Sequence, residues 1–414
     1  MAQIKKNKTG KKTVAVFYGG RSPEHDVSVI SALQALQAFD RDQYEVVPVY
    51  IAPDGAWYTG DIVSKRDKLL LDEQGLKEVT EVTLDVRADR GGVLLPKKTG
   101  IFAKAKPITF DVAVPVFHGL YGEDGGMQGL FELANIPYAG MRTKASALLM
   151  DKVTTKFVLF ALGIPALPFA VIRRPANGGY LVDEKTLEGL LANLSFPLIL
   201  KPVHLGSSIG VAKVNSIEEV RACLPAIFEY DDAAIAEPFV ENLVEYNVSV
   251  GHIDGQIKTS AIERPKSTEE LLDFKQKYVP KDDGEGGLKS GGVKNSPIPS
   301  EGMLSLTRDI NPDIPQEMEN NIRQWAVQLY ETLDGTGVPR IDFVSNAKTG
   351  EIWMNEVNPC PGSLGYFLWE ASKENPVLFT DLLSSLVEEA LQENANHTLP
   401  HDPVPADARL LRRI

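Results

Sequence analysis

The chain has 414 residues, a length that allows two or three domains with sizeable hydrophobic cores. Hydrophobic residues make up 43% of the sequence, as in ordinary globular proteins, and the net charge of −13 argues against a general nucleic-acid-binding protein, because phosphate backbones require a basic surface. The basic N-terminus (1–12) lacks the apolar stretch of a signal peptide, no apolar run approaches the length of a membrane span, and the two cysteines make no disulfide framework. We therefore expect a soluble, cytoplasmic protein that does not bind nucleic acid or a membrane.

The first part of the chain has the pattern of an α/β domain. The predicted elements are strands at 14–18, 44–51 and 111–117 and a helix through Val27, Ile30, Leu33 and Leu36. The first strand ends at Gly19-Gly20 and the last ends at His118-Gly119, and ligands of open α/β sheets gather at such carboxyl ends. Residues 53–108 are mixed in composition, and we predict an insertion or a hairpin there.

A glycine- and serine-rich loop marks the middle of the chain. The predicted elements are a helix over 143–162, strands at 197–201, 211–214 and 234–240, and a second helix over 217–228. The loop HLGSSIG (204–210) does not have the P-loop spacing, but the N–H groups of such a loop can wrap phosphates, and Lys201 would add positive charge. An ordinary hairpin loop is the alternative, and Lys152, after a helix, could equally be a solvated surface lysine.

The last part of the chain combines a hairpin about Asp254-Gly255 with two helices, over 317–333 and roughly 376–392. Between the hairpin and the first of these helices, residues 279–301 are rich in Gly, Lys, Pro and Asp, which indicates a long mobile loop. Breaks in the pattern place boundaries near 151 and 240.

An acidic hairpin carries the strongest local signal. Two short apolar strands, joined by a turn at 348–350, bring Asp342 opposite Glu356 and Asn358 if they pair. Such oxygen ligands suit Mg²⁺, which is usually shared with substrate phosphates, and Arg340 could hold a negative charge that develops beside the metal. The pattern favours nucleotide-dependent chemistry, although acidic residues at strand ends are also common as solvated groups.

Other polar residues have two interpretations each. Glu237 and Glu245 could accept hydrogen bonds from adenine and ribose, or face water. Glu24 lies at a helix N-terminus, where a carboxylate is favourable. It could have only this structural role, or it could bind a substrate ammonium. His118 could be structural or catalytic.

Taken together, these segments resemble one family, the D-alanine–D-alanine ligases of the ATP-grasp superfamily. The resemblance rests on GGRSPEHDVS (19–28), HGLYGEDGGMQG (118–129), MDK (150–152), KPVHLGSSIGVAKV (201–214), the Glu237 and Glu245 pair, KY (277–278), RID (340–342) and NEVNPCPG (355–362). Each motif alone is weak, but together they occur in the family order and cover almost the whole chain.

The resemblance implies an α/β protein with an ATP-grasp fold and an N-terminal Rossmann-like (pre-ATP-grasp) α/β domain. The implied domains are a substrate-binding domain at 1–151 with its insertion around 53–108, a small lid subdomain at 152–239, and a C-terminal domain at 240–414 with the metal site and a mobile loop at 264–301.

The resemblance also implies a role for each matching residue. The ATP phosphates would be held by Lys152, Lys201, Lys277, Ser208 and the backbone around Gly206, the adenine by Glu237 and Phe239, and the ribose by Glu245. Two Mg²⁺ (or Mn²⁺) ions would be bound by Asp342, Glu356 and Asn358. The catalytic set would be Glu24, Ser207, Tyr278 and Arg340, and substrate would also contact His118, Gly362 and Leu368.

The implied activity is the ATP-dependent ligation of two D-alanines through an acyl phosphate, for peptidoglycan synthesis, by a cytoplasmic homodimer. One position departs from the family: Phe367 stands where a serine is expected to hold the carboxylate of the second substrate. Ser363 or backbone groups could hold it instead, or the second substrate could be D-serine, D-lactate or another acid, although Tyr278 is typical of the D-alanine-adding members. A non-catalytic ATP-binding protein is the alternative of a different class.

Overall fold

The structure is a computed structural model that describes residues 10–69, 74–97, 106–176, 178–266, 308–374, 376–397, 399 and 404–409. The loop predicted at 279–301, together with Lys277 and Tyr278, lies outside these ranges. Three β-sheets with flanking helices form the described chain. Within these ranges, no helix has the length and apolarity needed to cross a membrane.

The N-terminal sheet has seven strands in the order β6-β5-β4-β3-β2-β1-β7. The strands are β1 (Lys12–Gly19), β2 (Tyr44–Ile51), β3 (Trp57–Thr59), β4 (Thr80–Leu84), β5 (Gly92–Pro96), β6 (Ile108–Phe110) and β7 (Val112–Val116). The helices of this part are α1 (His25–Ala38), α2 (Gly75–Glu78) and α3 (Gly126–Leu133). The segment predicted as an insertion supplies β3 to β6, which extend the sheet in antiparallel fashion.

Strand β1 lies between two cores, which explains its apolar run. It pairs in parallel with both β2 and β7. Val14, Val16 and Tyr18 face the core that contains α1, whereas Ala15 and Phe17 face the opposite core. A parallel strand that is covered on both faces has an almost continuous hydrophobic sequence, as this one has.

The middle sheet has four antiparallel strands in the order β10-β9-β11-β8. These are β8 (Ala170–Arg173), β9 (Leu198–Pro202), β10 (Ala212–Val214) and β11 (Ala233–Pro238). Two helices, α6 (Glu184–Leu191) and α7 (Ile217–Phe228), share a hydrophobic core with it. The glycine- and serine-rich loop joins β9 to β10, as predicted.

The C-terminal sheet has five antiparallel strands in the order β14-β13-β12-β15-β16. These are β12 (Leu243–Ile253), β13 (Gln256–Pro265), β14 (Arg308–Ile310), β15 (Arg340–Asn346) and β16 (Ile352–Asn358). The remaining helices are α4 (Thr143–Met150), α5 (Lys152–Leu162), α8 (Gln316–Thr332), α9 (Tyr366–Glu370) and α10 (Phe379–His397). Helices α4, α5 and α8 share the core of this sheet, whereas α10 packs in the core of α1.

The helix predicted over 143–162 is in fact two helices, α4 and α5. The chain leaves helical geometry at Asp151, whose carboxylate accepts a hydrogen bond of 2.9 Å from the Thr154 amide and caps α5. Lys152 is therefore the first residue of a helix, and the expectation that it follows a helix is incomplete. Hydrophobic periodicity continued through the break and did not show it.

Candidate active site

Strand pairing places the predicted metal ligands on one face of the C-terminal sheet. In the β15–β16 ladder, Asp342 lies opposite Glu356 and Arg340 lies opposite Asn358. Opposite residues of an antiparallel pair share a face, and so do residues two apart on one strand. The four side chains, three charged and one a neutral amide, therefore lie together and are called the acidic row below.

The oxygen donors of the acidic row fit a hard cation. Arg340 donates from Nε and Nη2 to the two carboxylate oxygens of Asp342, at 2.7 Å each, and Asn358 Nδ2 donates to Asp342 at 3.0 Å. Glu356 adds a second carboxylate on the same face. Two carboxylates and an amide are the kind of ligand set that Mg²⁺ takes, and the guanidinium of Arg340 shows that this face already holds positive charge.

Two of the three predicted phosphate lysines, Lys152 and Lys201, reach the same strand, β16. Lys152 Nζ lies 3.6 Å from Glu356 and donates to the Leu205 carbonyl at 2.6 Å. Lys201, on β9, donates to Asn355 at 3.0 Å. Two ammonium groups, one from α5 and one from the four-stranded sheet, thus lie beside the acidic row of the five-stranded sheet.

Glu237, predicted to contact adenine, is buried between two lysines. It pairs with Lys201 at 2.6 Å and with Lys156. Burial alone would raise the pKa of Glu237, but the two ammonium groups outweigh it, so the pKa lies below its usual range and the group is a carboxylate at neutral pH. An ionised carboxylate only accepts hydrogen bonds, which suits an exocyclic amino group of a base.

Lys156 was missed by the sequence analysis. Its side chain is fully buried, and burial lowers its pKa in spite of the attraction of Glu237. The available signal was its spacing: it lies four residues after Lys152 on α5, and therefore on the same side of the helix.

The other predicted nucleotide residues are Phe239, directly after β11, and Glu245, on β12. The Lys213 ammonium lies 3.7 Å from the centroid of the Phe239 ring, a cation–π contact. Glu245, on β12, lies opposite Val344 of β15. Burial of Lys201 would lower its pKa, but the charges of Glu237, Glu356 and Glu245 raise it above its usual range, so Glu245 acts on the same lysine.

Glu24 lies between two glycine loops at the carboxyl end of the N-terminal sheet. The Ser207 hydroxyl, from the loop after β9, donates a hydrogen bond to its carboxylate. A Cβ at Gly119, where φ is +74°, would lie 2.6 Å from Glu24 Oε2, and one at Gly206 would lie 3.2 Å from both oxygens. The absence of side chains at these two positions is what lets three segments of the chain meet around one carboxylate. Ser208 follows Ser207 in that loop, also with a positive φ of 60°.

His118 is buried and connects the N-terminal sheet to the segment after β16. Its Nε2 lies 2.9 Å from Ser31 Oγ, which in turn accepts a hydrogen bond of 2.9 Å from the Ser363 amide. Burial lowers the pKa of His118 to about 4, with a further contribution from the charge of Arg340. The imidazole is therefore neutral at physiological pH.

Glu123 is a second buried group that sequence reasoning did not single out. It accepts hydrogen bonds from the amides of Gly119 (2.8 Å) and Cys360 (3.0 Å), so it ties the His118 loop to the segment that follows Asn358. Burial, together with the nearby Glu24, raises the pKa of Glu123 to about 8. It lies inside a quoted motif, but its residue type did not distinguish it from Asp124.

The predicted substrate contacts after β16 lie in a tight turn, at Gly362, and in α9, at Leu368. Gly362 begins a 3-10 turn in which Ser363 and Leu364 have positive φ angles of 50° and 55°. The side chain of Leu368 is fully buried, so only its backbone could contact a ligand. The guanidinium of Arg308 lies 4.7 Å from the centroid of the Phe367 ring.

Two antiparallel sheets that face each other across paired lysines and an acidic row, behind an N-terminal α/β domain, define an ATP-grasp protein. Family models described as the N-terminus and the C-terminus of D-ala D-ala ligase match residues 13–141 and residues 158–289 with 304–388. The chain belongs to the D-alanine–D-alanine ligase family.

Individual relatives agree with this assignment. The chain is 33% identical to the D-alanine–D-alanine ligase of Thermosipho africanus over 92% of this chain and 94% of that protein, and 31% identical to that of Enterococcus faecalis over 91% and 98%. Among solved structures, the VanG D-Ala:D-Ser ligase from Enterococcus faecalis matches with a TM-score of 0.68 and 26% identity over 92% of this chain and 99% of that one. The D-alanine–D-alanine ligase from Helicobacter pylori matches with a TM-score of 0.66 and 26% identity over 91% and 99%.

Proposed function

We propose that this protein joins two D-alanines to D-alanyl-D-alanine, converts ATP to ADP and phosphate in doing so, and supplies peptidoglycan synthesis for the cell wall. The observation that carries the proposal is the hydrogen bond between Ser207 and Glu24. It links the loop beside the phosphate lysines to the carboxylate of the N-terminal sheet. The groups that we propose for the nucleotide and for the amine would therefore be neighbours, as a reaction between ATP and an amino acid requires.

In this proposal ATP lies in the cleft between the two antiparallel sheets. Lys152, Lys201 and the loop at Gly206 and Ser208 would hold its phosphates, with Lys277 from outside the described residues. Glu237 and Phe239 would contact the base, and Glu245 the ribose. Asp342, Glu356 and Asn358 would hold two Mg²⁺ ions, which when bound offset the charge on the transferring phosphoryl group.

The first D-alanine would bind with its ammonium at Glu24. Its carboxylate oxygen attacks the γ-phosphorus, the bond to the β-phosphate oxygen breaks, and ADP leaves. The product is an acyl phosphate, whose carbonyl carbon is a far better electrophile than that of a carboxylate. Neutral His118 would lie near this substrate without adding charge.

The second D-alanine would attack the acyl carbon with its uncharged amine, and phosphate would leave with the former carboxylate oxygen. Arg340 and the backbone at Gly362 would stabilise the oxyanion of the tetrahedral intermediate. The network of Glu24, Ser207 and Tyr278 would hold the loop closed over the site. Closure of the four-stranded sheet as a lid would exclude water, which otherwise hydrolyses the acyl phosphate.

Phe367 supports an alternative second substrate. One solved neighbour is a D-Ala:D-Ser ligase, so the fold accommodates different second substrates. In this chain the carboxylate of the second substrate would be held by Ser363 or by backbone groups such as that of Leu368. A protein that binds ATP without ligation is less well supported, because such a protein needs neither Arg340 for an oxyanion nor Glu24 for a substrate ammonium.

The test is phosphate release from Mg-ATP with D-alanine alone, with D-alanine plus D-serine or D-lactate, and with no amino acid, followed by separation of the products. D-alanyl-D-alanine from D-alanine alone would support the proposal. Turnover only in the presence of D-serine or D-lactate would show that the second substrate is not D-alanine. ATP binding without turnover would support the non-catalytic alternative. The homodimer remains a prediction, which sedimentation velocity would test.

A further inference from the structure

His204 lies in the middle of a short stretch of chain that holds Lys152. The Lys152 amide donates to the carbonyl of Val203 at 3.3 Å, and its Nζ donates to the carbonyl of Leu205 at 2.6 Å. His204 stands between these two acceptor residues, and Gly206 directly follows the second of them, Leu205. A displacement of the His204 backbone would therefore act on both carbonyls that hold the lysine.

The ring of His204 joins two parts of the fold. Its Nδ1 lies 2.9 Å from Asp231 Oδ1, and its backbone amide donates to the other oxygen of Asp231 at 2.7 Å. Asp231 lies two residues before β11, a strand of the four-stranded sheet, and accepts a hydrogen bond of 3.2 Å from the amide of Ala233, the first residue of that strand. The other ring nitrogen, Nε2, lies 3.5 Å from Asp151 Oδ2. Asp151 caps α5, which packs in the core of the five-stranded sheet.

The surroundings favour the imidazolium form. Asp151 and Asp231 face the two ring nitrogens, and Asp232 adds a third carboxylate to the cluster. Hydrogen bonds to Asp151 and Asp231 outweigh the effect of burial and raise the pKa of His204 to about 10. Burial would raise the pKa of Asp151, but His204 and the Thr154 amide outweigh it and lower the value to about 2.

We propose that His204 is a positioning residue for nucleotide binding: its cation, held between Asp231 and Asp151, fixes Lys152 and the loop at 206–208 in the arrangement that receives the ATP phosphates. The inference rests on the proposed function, because it takes Lys152 and this loop to be the phosphate site. His204 acts through these groups and need not touch the nucleotide.

The first test compares His204→Gln with His204→Arg, which keeps a cation that two carboxylates can share. We expect His204→Gln to raise the KM for ATP about tenfold, with kcat and the KM for D-alanine changed less than about threefold, since one charged bridge is lost. His204→Arg should recover most of the affinity for ATP. The matched control is His252→Gln, because His252 pairs with Glu389 at 3.0 Å and is as exposed as His204, at 37% against 36%.

The second test measures the affinity for Mg-AMP-PNP, a non-hydrolysable ATP analogue, between pH 7 and pH 10.5. Because the pKa of His204 is raised, its ionic bridge to Asp151 and Asp231 is complete at lower pH and is lost as pH rises through about 10. Wild type should lose affinity there more steeply than His204→Arg, in which the cation persists. The lysines titrate in both proteins, so the difference between the two curves isolates His204.

Three results would overturn the inference: unchanged affinity in His204→Gln, a control that loses as much affinity, or no recovery in a folded His204→Arg variant. Circular dichroism and thermal melting show whether each variant is folded. Binding of the analogue is measured without turnover, so failure of the ligation reaction would be seen separately. A wild type that does not bind the analogue would instead reject the proposed function.

Discussion

The two halves of the site are held together in different ways. In the half that would hold metal and phosphate, strand register sets the positions: Asp342 and Glu356 are direct partners in one ladder. In the half that would hold the amino acid, Glu24 is enclosed by loops of different sheets at Gly119 and Gly206. A side chain on a ladder can be changed with little effect on the backbone, whereas a loop that depends on close approach moves when any atom is added.

The largest effect should follow a change in the ladder half. Glu356→Gln removes a carboxylate from the acidic row and from its 3.6 Å contact with Lys152. We expect kcat to fall by about 10²–10³, the usual size of losing one preorganised charge in a site, with little change in thermal stability. The rate of ADP formation at saturating substrate concentrations measures kcat.

Glu351→Gln is the matched control. It makes the same chemical change in the same hairpin, at an exposed position beside the turn, where Glu351 accepts a hydrogen bond from Thr349. It should leave kcat unchanged. Activity of Glu356→Gln within about threefold of wild type would contradict a role for the acidic row.

The next effect concerns the carboxylate of the loop half. Glu24→Gln removes the charge proposed to bind the ammonium, and we expect the KM for the first D-alanine to rise about 10- to 100-fold, as for the loss of a charged hydrogen bond. The KM for ATP should change much less, because the amide oxygen of glutamine can still accept the hydrogen bond of Ser207, and this difference separates the two halves. Initial rates with D-alanine and ATP varied independently provide both constants. Asp26→Asn, an exposed acid in the first turn of α1, is the control and should have neither effect.

A smaller effect should come from an added methyl group. In Gly119→Ala, the new Cβ would lie 2.5 Å from Ser22 Oγ and 2.6 Å from Glu24 Oε2, so these side chains must move. We expect the KM for D-alanine to rise about tenfold and the stability to fall by about 1 kcal/mol, because φ is positive. Gly163→Ala has a similar positive φ of +68° and no atom within 4 Å of the new Cβ. It should lose similar stability in a thermal melt and keep its KM; an equal rise in KM would contradict the close-approach argument.

The smallest effect concerns Phe367. Phe367→Ser places a hydroxyl where the resemblance implies a serine, and we expect the KM for D-alanine as second substrate to fall about fivefold, the value of one hydrogen bond of about 1 kcal/mol. Phe367→Ala removes the ring without adding a hydroxyl and is the control. Equal KM values in the two variants would show that this position does not contact the carboxylate.

Local pattern was sufficient for the elements that carry much of the site. The hairpin of β15 and β16, the loop between β9 and β10, and the strand and helix around Glu24 follow from short apolar runs and turn residues. The predicted family and fold class are confirmed by the matches reported above.

Contacts between distant residues were beyond the reach of local pattern. Lys201 and Asn355 are 154 positions apart, and Glu123 and Cys360 are 237 apart, so no spacing rule joins them. Lys156 was overlooked because a buried lysine next to a glutamate cannot be distinguished from a surface lysine by residue type. The break at Asp151 had a visible signal, an Asp of the type that caps helix N-termini, but the apolar pattern continued across it.

The most direct test of the central claim, that an amino acid carboxylate and ATP react in one site, follows an oxygen atom. D-alanine labelled with ¹⁸O in its carboxylate is incubated with Mg-ATP, and the released phosphate is analysed by mass spectrometry. Reaction through an acyl phosphate transfers one labelled oxygen to phosphate for each dipeptide formed. Phosphate without label would show that water attacks ATP, and would contradict the account.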